Sequence, residues 1–280
     1  MITIGLPVFN AEKYLRFTLE SILSQTYTNW FLIIVNDGST DSSDAIIQQY
    51  IGDSRIRYIN SKKNKGLIYR LNQLIDLTET KYYFRMDSDD IMHPDRLLIQ
   101  LDFLEKNPTI DLLGTAAISI DESNFIVGIK TKTNNFSRQN VLLANPFIHP
   151  STAGKTSWFK INTYNQRYYR AEDKELWLRT YAHSNFYNLN VPLLYYREGK
   201  VNIRNYLATG RTIKIIYKDN HGLFLTRSEY KWTLIKVDIK NIIYRIATLL
   251  NSQGFLASMR SKKMLPSQKS NYEKVLKDIL

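Results

Sequence analysis

Cysteine is absent from this chain of 280 residues, and histidine occurs only four times. The absence of cysteine excludes disulfide bonds, thiolate nucleophiles and cysteine-ligated zinc, and it is compatible with a reducing compartment. The four histidines are scattered and show neither HExxH nor HxxxH spacing, so a zinc site built from histidine is not expected.

A long apolar run is missing from the C-terminal part of the chain. Its longest stretch without a charged residue, 246–259, is interrupted by Asn251 and Gln253 and is too short to span a bilayer. The N-terminal segment has no basic region before an apolar core, so we expect it to form a strand rather than a signal peptide.

Acidic residues are scarce near the C-terminus. Residues 1–198 contain 22 Lys and Arg against 21 Asp and Glu, whereas residues 199–280 contain 16 against 5, so nearly all of the net charge of +12 lies in the last part. Such an excess indicates an anionic partner, either nucleic acid or an anionic membrane surface. It also suggests that chemistry and attachment belong to different parts of the chain.

The first part of the sequence alternates between short apolar runs and segments with helical spacing. Four strand–helix units in series predict an α/β fold with a mostly parallel sheet covered by helices. The strands are predicted at 2–8, 31–35, 56–59 and 82–86, and the helices at 11–25, 41–51, 66–77 and 94–106, where Pro94 would open the last helix. Later segments predict a hairpin at 114–132, a helix at 172–182, one or two strands at 186–196 and basic helices from about 200.

Three carboxylates follow the fourth predicted strand, in the turn Asp87-Ser88-Asp89-Asp90. Carboxylates this close repel one another unless a cation neutralises them, and oxygen ligands suit Mg²⁺ or Mn²⁺ beside substrate phosphates. A solvated turn that caps the next helix is the alternative interpretation. Ligands bind beyond the carboxyl ends of parallel strands, so this turn should meet the loops 8–10 and 36–39 in one crevice.

Other segments also have two interpretations. Taken alone, 7–10 is a plain strand end, and 36–41 is a turn with a helix cap. Glu172 and Asp173 begin a helix whose dipole they complement, yet a carboxylate that faced the crevice could act as a general base.

Together these segments resemble the inverting glycosyltransferases of family 2, which have the GT-A fold. The resemblance covers about residues 2–198, and the motifs occur in the family's order at similar spacing. Each motif is common by chance, whereas the ordered set is specific. The motifs are PVFN at 7–10, SQTY at 24–27, VNDGSTD at 35–41, NKG at 64–66, DSDD at 87–90, PDRL at 94–97, HPS at 149–151 and ED at 172–173.

For the donor, the resemblance implies a nucleotide-sugar held by the loops at the strand ends. Phe9 would lie against the face of the base, and Asp37 would accept from a ring N–H, which favours uracil and hence a UDP-sugar. Asp87 would approach the ribose. The implied donor site comprises Pro7, Val8, Phe9, Asn10, Asp37, Asn64, Gly66, Arg70, Asp87 and Ser88.

For the chemistry, the resemblance implies that Asp89 ligates Mn²⁺ or Mg²⁺ at the diphosphate and that Asp173 deprotonates the acceptor hydroxyl. Glu172 is the weaker candidate for the base. Asp90 would support the loop or meet the acceptor, and His149 would line the acceptor or pyrophosphate side or have a structural role. Attack opposite the diphosphate inverts the anomeric carbon, and it requires one base and stabilisation of the leaving group.

Two departures from related patterns are informative. The family often reads Y-R-x-H after its last strand, but Gly199 stands at the histidine position here, so metal ligands beyond Asp89 are not defined. The sequence also lacks the Q-x-x-R-W signature and the membrane-spanning helices of processive polysaccharide synthases. We therefore expect transfer of a single sugar per encounter.

The basic C-terminal region contains an amphipathic pattern, in which apolar residues recur at three- and four-residue steps over 230–250. Two interpretations stay open and do not exclude each other: the helix lies on an anionic membrane through residues 230–263, or it packs its apolar stripe on the catalytic domain. No nucleic-acid motif accompanies the charge, so nucleic acid is not an expected partner. A membrane-facing tail favours a lipid-linked or surface-polysaccharide acceptor and a place on the cytoplasmic face of the membrane.

The expected organisation is a catalytic domain at 1–198 and a basic helical region at 199–280. Within the first, 1–115 would bind the nucleotide-sugar and 116–198 would form the acceptor side.

Two other functions compete with sugar transfer. The first is a non-catalytic GT-A binding module with a membrane-binding tail, which Gly199 favours and the intact Asp87, Asp89 and Asp173 disfavour. The second is a nucleotidyltransferase for sugar phosphates, which would show a glycine-rich loop with a basic residue near the N-terminus, and this chain has no such loop.

Overall fold

The structure of the protein is a computed structural model that describes residues 1–199, 202–220, 226–250 and 261–280. The part of the predicted membrane-facing segment at 251–260 lies outside these residues. Strands in chain order are β1 Ile2–Val8, β2 Trp30–Asp37, β3 Ile56–Ser61, β4 Tyr82–Arg85, β5 Ile91–Met92, β6 Leu112–Ile120, β7 Ile126–Lys130, β8 Ala153–Lys155 and β9 Phe186–Arg197. Helices are α1 Leu15–Leu23, α2 Ser43–Gln48, α3 Leu67–Asp76, α4 Arg96–Lys106, α5 Arg138–Leu143, α6 Thr156–Ile161, α7 Glu172–Thr180, α8 Ile203–Asp219, α9 Arg227–Leu249 and α10 Pro266–Ile279.

The described strands form one sheet in the order β3-β2-β1-β4-β8-β6-β9-β5, with β7 paired to β6. Strands β3, β2, β1 and β4 are all parallel, and every residue of β1 is buried, as expected for an apolar strand covered on both faces. This arrangement confirms the predicted α/β class with helices flanking a parallel sheet. It also places the carboxyl ends of β1, β2 and β4 at one edge.

The second half of the sheet is mixed. Strand β8 runs antiparallel to both β4 and β6, β6 runs parallel to β9, and the two residues of β5 pair antiparallel with β9. The hairpin expected at 114–132 is present as β6 and β7. The segment at 186–196 forms one strand rather than two, whereas β5 and β8 were not predicted.

Helix boundaries differ from the sequence prediction mainly at the N-terminal ends. Helix α4 begins at Arg96, two residues after Pro94, and its N-cap residue Asp95 makes no side-chain capping bond. Helix α2 begins at Ser43, and the carboxylate of Asp41 accepts from the backbone N–H groups of Ser43 and Glu12. Asp41 thus joins the start of α2 to the loop before α1.

Two apolar cores cover the two faces of the sheet. One is aromatic. It includes Phe159 of α6 and Trp177 of α7, and the ring of Trp177 meets the ring of Phe147 edge to face. The other is mainly aliphatic and packs α1 and α4 on β1 and β2. Burial of apolar surface in these cores is the main force that holds the helices on the sheet.

The C-terminal helices pack on the same body of the protein. Ile216 and Tyr217 of α8 belong to the aromatic core, and the hydroxyl of Tyr217 donates to the carbonyl of Leu142 at 2.7 Å. Leu276 and Ile279 of α10 join a third cluster with β5, β6 and β9. None of the described helices combines the length and the apolar composition that a bilayer crossing requires.

We predict that Gly154→Ala destabilises the protein by about 1–3 kcal/mol through overpacking. A Cβ on Gly154 of β8 would lie 2.3 Å from the carbonyl oxygen of Asp111, and this backbone belongs to the middle of the sheet and cannot easily move. The measurement is the urea midpoint at unchanged m-value. The matched control is Gly52→Ala, whose Cβ meets nothing within 4 Å and which should change the free energy of unfolding by less than about 0.5 kcal/mol. Equal stability of the two variants would contradict the prediction.

Candidate active site

A cavity of about 890 Å³ opens at the carboxyl ends of β1, β2 and β4. Its wall contains every residue predicted for the donor, together with Asp89 and Glu172. The residues concerned are Pro7, Val8, Phe9, Asn10, Asp37, Asn64, Gly66, Arg70, Asp87, Ser88, Asp89 and Glu172. Segments far apart in the sequence therefore meet in one crevice because parallel strands deliver their carboxyl ends to the same edge.

One wall of the cavity is formed by the loops after β1 and β2, which are bonded to each other. The backbone N–H of Asn10 donates to Oγ of Ser39 at 3.0 Å, and Oδ1 of Asn10 accepts from the backbone N–H of Thr40 at 2.8 Å. Asn10 has a positive φ of 48°, which asparagine tolerates better than most residues. Phe9 stays half exposed beside it, so its ring is free to contact a ligand.

Asp37 and Arg70 form a buried ion pair on the floor of the cavity. Nε of Arg70 lies 2.6 Å from Oδ1 of Asp37, and the same carboxylate accepts from the backbone N–H groups of Lys65 and Gly66, both at 2.8 Å. Gly66 has a φ of 86°, which glycine adopts without strain, and it precedes α3. Asp37 thus anchors the start of α3, and its role toward a nucleotide base stays a prediction.

The acidic turn divides its three carboxylates among different environments. Oδ1 of Asp87 lies 2.6 Å from Nη2 of Arg85, and the buried Asp90 accepts from the backbone N–H of Arg197 at 2.8 Å. Asp89 is exposed, and its carboxylate accepts no hydrogen bond from another residue in the described ranges. One oxygen from each of the three carboxylates can be chosen so that all lie within 4.8 Å of one another, and this donor set fits a hard divalent cation.

Crowding and burial disfavour the charged forms of Asp89 and Asp90. The protein that surrounds Asp89 removes part of its hydration, and with the neighbouring Asp87 this raises the pKa of Asp89 to about 6. Burial, and then the charges of Asp89 and Asp87, raise the pKa of Asp90 well above its ordinary value. A bound cation would reverse this penalty at Asp89.

The side chain of Arg197 binds the backbone of the acidic turn. Its Nε donates to the carbonyl of Asp89 and its Nη1 to the carbonyl of Asp121, both at 2.8 Å, while its guanidinium lies 4.0 Å from the ring centroid of Tyr14. Glu198, the next residue, is paired with Lys130 at 2.7 Å. The exposed Gly199 offers no side chain to a metal.

A second cavity, of about 340 Å³, adjoins the first. Asp87, Arg170 and Glu172 line both cavities, whereas Asp173 and His149 line only the smaller one. Arg170 has a φ of 71°, an unfavourable conformation for a residue with a side chain, at this junction. Asp89 and Asp173 therefore lie in neighbouring compartments of one cleft.

Asp173 is fixed in position at the start of α7. Its Oδ2 accepts from Nδ2 of Asn145 at 2.7 Å, and its Oδ1 accepts from the backbone N–H of Lys174 at 2.7 Å. Burial raises the pKa of the Asp173 carboxyl above its usual value. Burial and the adjacent Asp173 charge raise the pKa of Glu172 to about 7, so the two carboxylates titrate as a pair.

His149 lines the smaller cavity and is also held by contacts with its neighbours. Its Nε2 lies 2.7 Å from the hydroxyl of Tyr164, and its ring meets the ring of Trp177 edge to face. Burial, with the nearby Arg85 charge, lowers the pKa of His149 well below its ordinary value, so the ring is neutral. The structural role considered for His149 agrees with these contacts.

Sequence reasoning missed several residues of the site, among them Arg85, Lys132, Asn145, Arg170 and Arg197. Lys132 and Asn145 lie in an irregular segment without a periodic signal, where Nζ of Lys132 donates to the carbonyl of Asn145 at 2.7 Å. Arg85 and Arg197 were visible as charged residues at the ends of apolar strands. That pattern is a usable signal, because a buried charge requires a partner.

Comparisons with known proteins agree with the fold. The family model described as glycosyl transferase family 2 matches residues 3–176. EpsE of Bacillus subtilis (strain 168), named as a glycosyltransferase, is 33% identical over 203 residues, which cover 70% of this chain and 73% of that protein.

Solved structures show the same architecture. TarS 1–349 of S. aureus in complex with UDP-GlcNAc aligns with a TM-score of 0.63 at 17% identity, over 84% of this chain and 71% of that one. The mannosyltransferase PcManGT from Pyrobaculum calidifontis, in complex with GDP-Man and Mn²⁺, aligns with a TM-score of 0.60 at 13% identity, over 99% and 84%. With the family match over more than half of its length, this chain belongs to glycosyl transferase family 2.

Proposed function

We propose that this glycosyltransferase transfers one sugar per encounter from a nucleotide-sugar to a hydroxyl acceptor, with inversion at the anomeric carbon. The observation that carries the proposal is the adjoining pair of cavities. One contains the acidic turn and the loops predicted for the nucleotide, and the other contains Asp173. A sugar at the junction would have a leaving group on one side and a base on the other.

The donor is proposed to be a UDP-sugar. The large cavity is lined both by a half-exposed aromatic ring, that of Phe9, and by the acidic turn. The structural neighbours hold UDP-GlcNAc and GDP-Man, which supports a nucleoside diphosphate sugar as the class. The preference for uracil rests on the predicted contact with Asp37, and stabilisation by a panel of nucleotide-sugars in a thermal shift assay tests it.

Mn²⁺ or Mg²⁺ is proposed to bind at Asp89, the carboxylate of the turn that is exposed and has no cationic partner among the described residues. Asp87 is paired with the guanidinium of Arg85, and Asp90 accepts from the backbone N–H of Arg197. These two carboxylates would therefore act on the ion mainly through their charge. When bound, the ion offsets the charge that develops on the departing diphosphate. Gly199 leaves the remaining coordination to substrate oxygens and water, as is common for Mg²⁺.

Asp173 is proposed as the general base. Its carboxylate would take the proton of the acceptor hydroxyl while that oxygen bonds to the anomeric carbon and the bond to the diphosphate oxygen breaks. Asn145 and the N-terminus of α7 orient the carboxylate and favour its charged form. Arg85 and Arg197 hold the opposite wall in place. A lipid-linked or surface-polysaccharide saccharide is the proposed acceptor.

The chain is proposed to consist of a donor part at 1–115, an acceptor part at 116–198 and a helical region at 199–280.

A non-catalytic binding module is the competing function. The orientation of Asp173 by Asn145 favours catalysis, because a module that only binds has no need of an oriented base.

We predict that Asp89→Asn weakens Mn²⁺-dependent binding of UDP by at least about tenfold, since a neutral amide is a poorer ligand for a hard cation. Isothermal titration with UDP, with and without Mn²⁺, measures the effect. The matched control is Asp102→Asn on α4, an exposed carboxylate whose ion-pair partner among the described residues is Lys106, and it should leave binding unchanged. Equal Mn²⁺ dependence in Asp89→Asn and wild type would refute the metal assignment.

Asp173→Asn should lower kcat by about 10²–10⁴ while UDP affinity stays near the wild-type value, because the amide cannot accept the proton. Turnover of the donor found by screening, measured as release of UDP, is the readout. Retention of kcat in this variant would move the base to another residue.

The pH dependence separates Asp173 from Glu172. The base acts in its deprotonated form, so kcat/KM should fall as the pH decreases through the raised pKa of Asp173. In wild type the coupled pair gives two ionisations, and burial with the adjacent Asp173 charge raises the pKa of Glu172 to about 7. We predict that Glu172→Gln leaves a single ionisation, that of Asp173, and retains activity within about tenfold. Loss of all activity in Glu172→Gln, with activity retained in Asp173→Asn, would reverse the two assignments.

A further inference from the structure

Helix α9 carries an apolar stripe on its solvent side. The stripe residues follow one another at alternating steps of three and four, and each is between 48% and 84% exposed. They are Trp232, Ile235, Ile239, Ile242, Ile246 and Leu249. A continuous apolar surface of this length is unusual on a protein that is fully surrounded by water.

The opposite face of α9 is already in contact with the rest of the protein. Thr233 and Ala247 are buried, and Val237 packs against the aromatic core. Asn241 lies so close to α8 that a Cβ on Gly210 would be 2.8 Å from its Oδ1. The stripe is therefore not the face by which α9 docks, and the interpretation that it packs on the catalytic domain is wrong.

Basic residues border the stripe on both sides. Lys231, Lys236, Lys240 and Arg245 are each adjacent in sequence to a stripe residue, which turns them by about 100° from it around the helix. None of the four forms an ion pair within the described residues. The acidic residues of α9, Glu229 and Asp238, are paired with Arg138 and Lys214. The unpaired charge beside the stripe is thus entirely positive.

We propose that α9 lies in the plane of an anionic lipid membrane, with the stripe inserted among the acyl chains and the basic residues level with the lipid phosphates. The 23 residues of α9 would cover about 35 Å of membrane surface. An apolar stripe bordered by Lys and Arg is the chemistry that binds such a surface. Nucleic acid would contact the cations but leave the stripe in water.

A second copy of the chain fits the stripe less well. Alternating steps of three and four also occur in coiled coils, but the flanking positions there pair opposite charges. Here Lys231, Lys236 and Arg245 would approach the same basic residues of another copy, with the helix's acidic residues already paired within the chain. Charge therefore favours an anionic membrane over self-association.

Membrane binding in this form does not depend on the proposed sugar transfer. It would place the active site near lipid, because α8 packs against α9 and contributes Thr209 to the large cavity. A groove of about 410 Å³ between α8, α9 and residues 142–145 includes Asn145, which also lines the smaller cavity.

The test is co-sedimentation of the full chain with vesicles. We expect binding to vesicles of phosphatidylglycerol and phosphatidylcholine in equal parts, weak binding to phosphatidylcholine alone, and a decrease with added salt. The double variant Ile239→Glu, Ile246→Glu should bind at least about tenfold more weakly, since two charges replace inserted side chains. Exchange of the four basic residues for Gln should remove the preference for anionic vesicles.

The matched control is Leu98→Glu with Ile161→Glu, which replaces exposed apolar residues on α4 and α6 and should bind as wild type. Circular dichroism and thermal unfolding establish that each variant is folded. The proposal fails if wild type ignores anionic vesicles or if the Ile239→Glu, Ile246→Glu variant binds them equally. Sedimentation velocity tests the alternative. If the wild type is a dimer that does not bind vesicles, and the Ile239→Glu, Ile246→Glu variant is a monomer, the stripe binds a second copy of the chain instead.

Discussion

The repulsion among carboxylates in the cleft is the constraint around which the rest of the site is built. Negative charges from the acidic turn and from α7 meet in two adjoining cavities, and burial strengthens their repulsion. Buried guanidinium groups make the arrangement possible. Arg85 pairs with Asp87, Arg197 secures the backbone of the turn, and Arg96 donates to the carbonyl of Arg85 at 2.8 Å. The shape of the turn therefore depends on three separate elements, because Arg85 belongs to β4, Arg96 to α4 and Arg197 to β9.

Most of the sheet could be predicted from the sequence pattern, but two strands could not. The parallel half consists of short apolar runs bounded by turn residues, and this shortness favours a strand over a helix. Strands β5 and β8 have two and three residues, too few to show a period, and they exist because neighbouring strands offer unpaired backbone groups. The hairpin of β6 and β7 was predictable from the loose alternation over 114–132 and the short turn between its strands, although β6 itself is buried along its whole length.

In the candidate site, the sequence was enough to predict which residues line the cavity, but not which hydrogen bonds and ion pairs they form. Residues at strand ends converge by topology, so the predicted donor residues gather in one cavity. The bond from Asn145 to Asp173 joins segments 28 residues apart and left no local pattern. The pairing of Asp37 with Arg70 was equally hidden, because two charged residues along a chain do not reveal whether they face a ligand or each other. The stripe of α9 was visible as a period, whereas the side of the helix that meets the protein depends on packing.

The bonds that join the loops around the large cavity have a thermodynamic consequence. Asn10 ties two loops together, and Asp37 fastens the start of α3 through three hydrogen bonds. A ligand that enters therefore finds backbone already held in place, so little conformational entropy is lost when it binds. Affinity at this end of the cleft is governed by contacts and displaced water. At the junction with the smaller cavity, Arg170 is held at a positive φ, so part of the folding free energy is stored there as backbone strain.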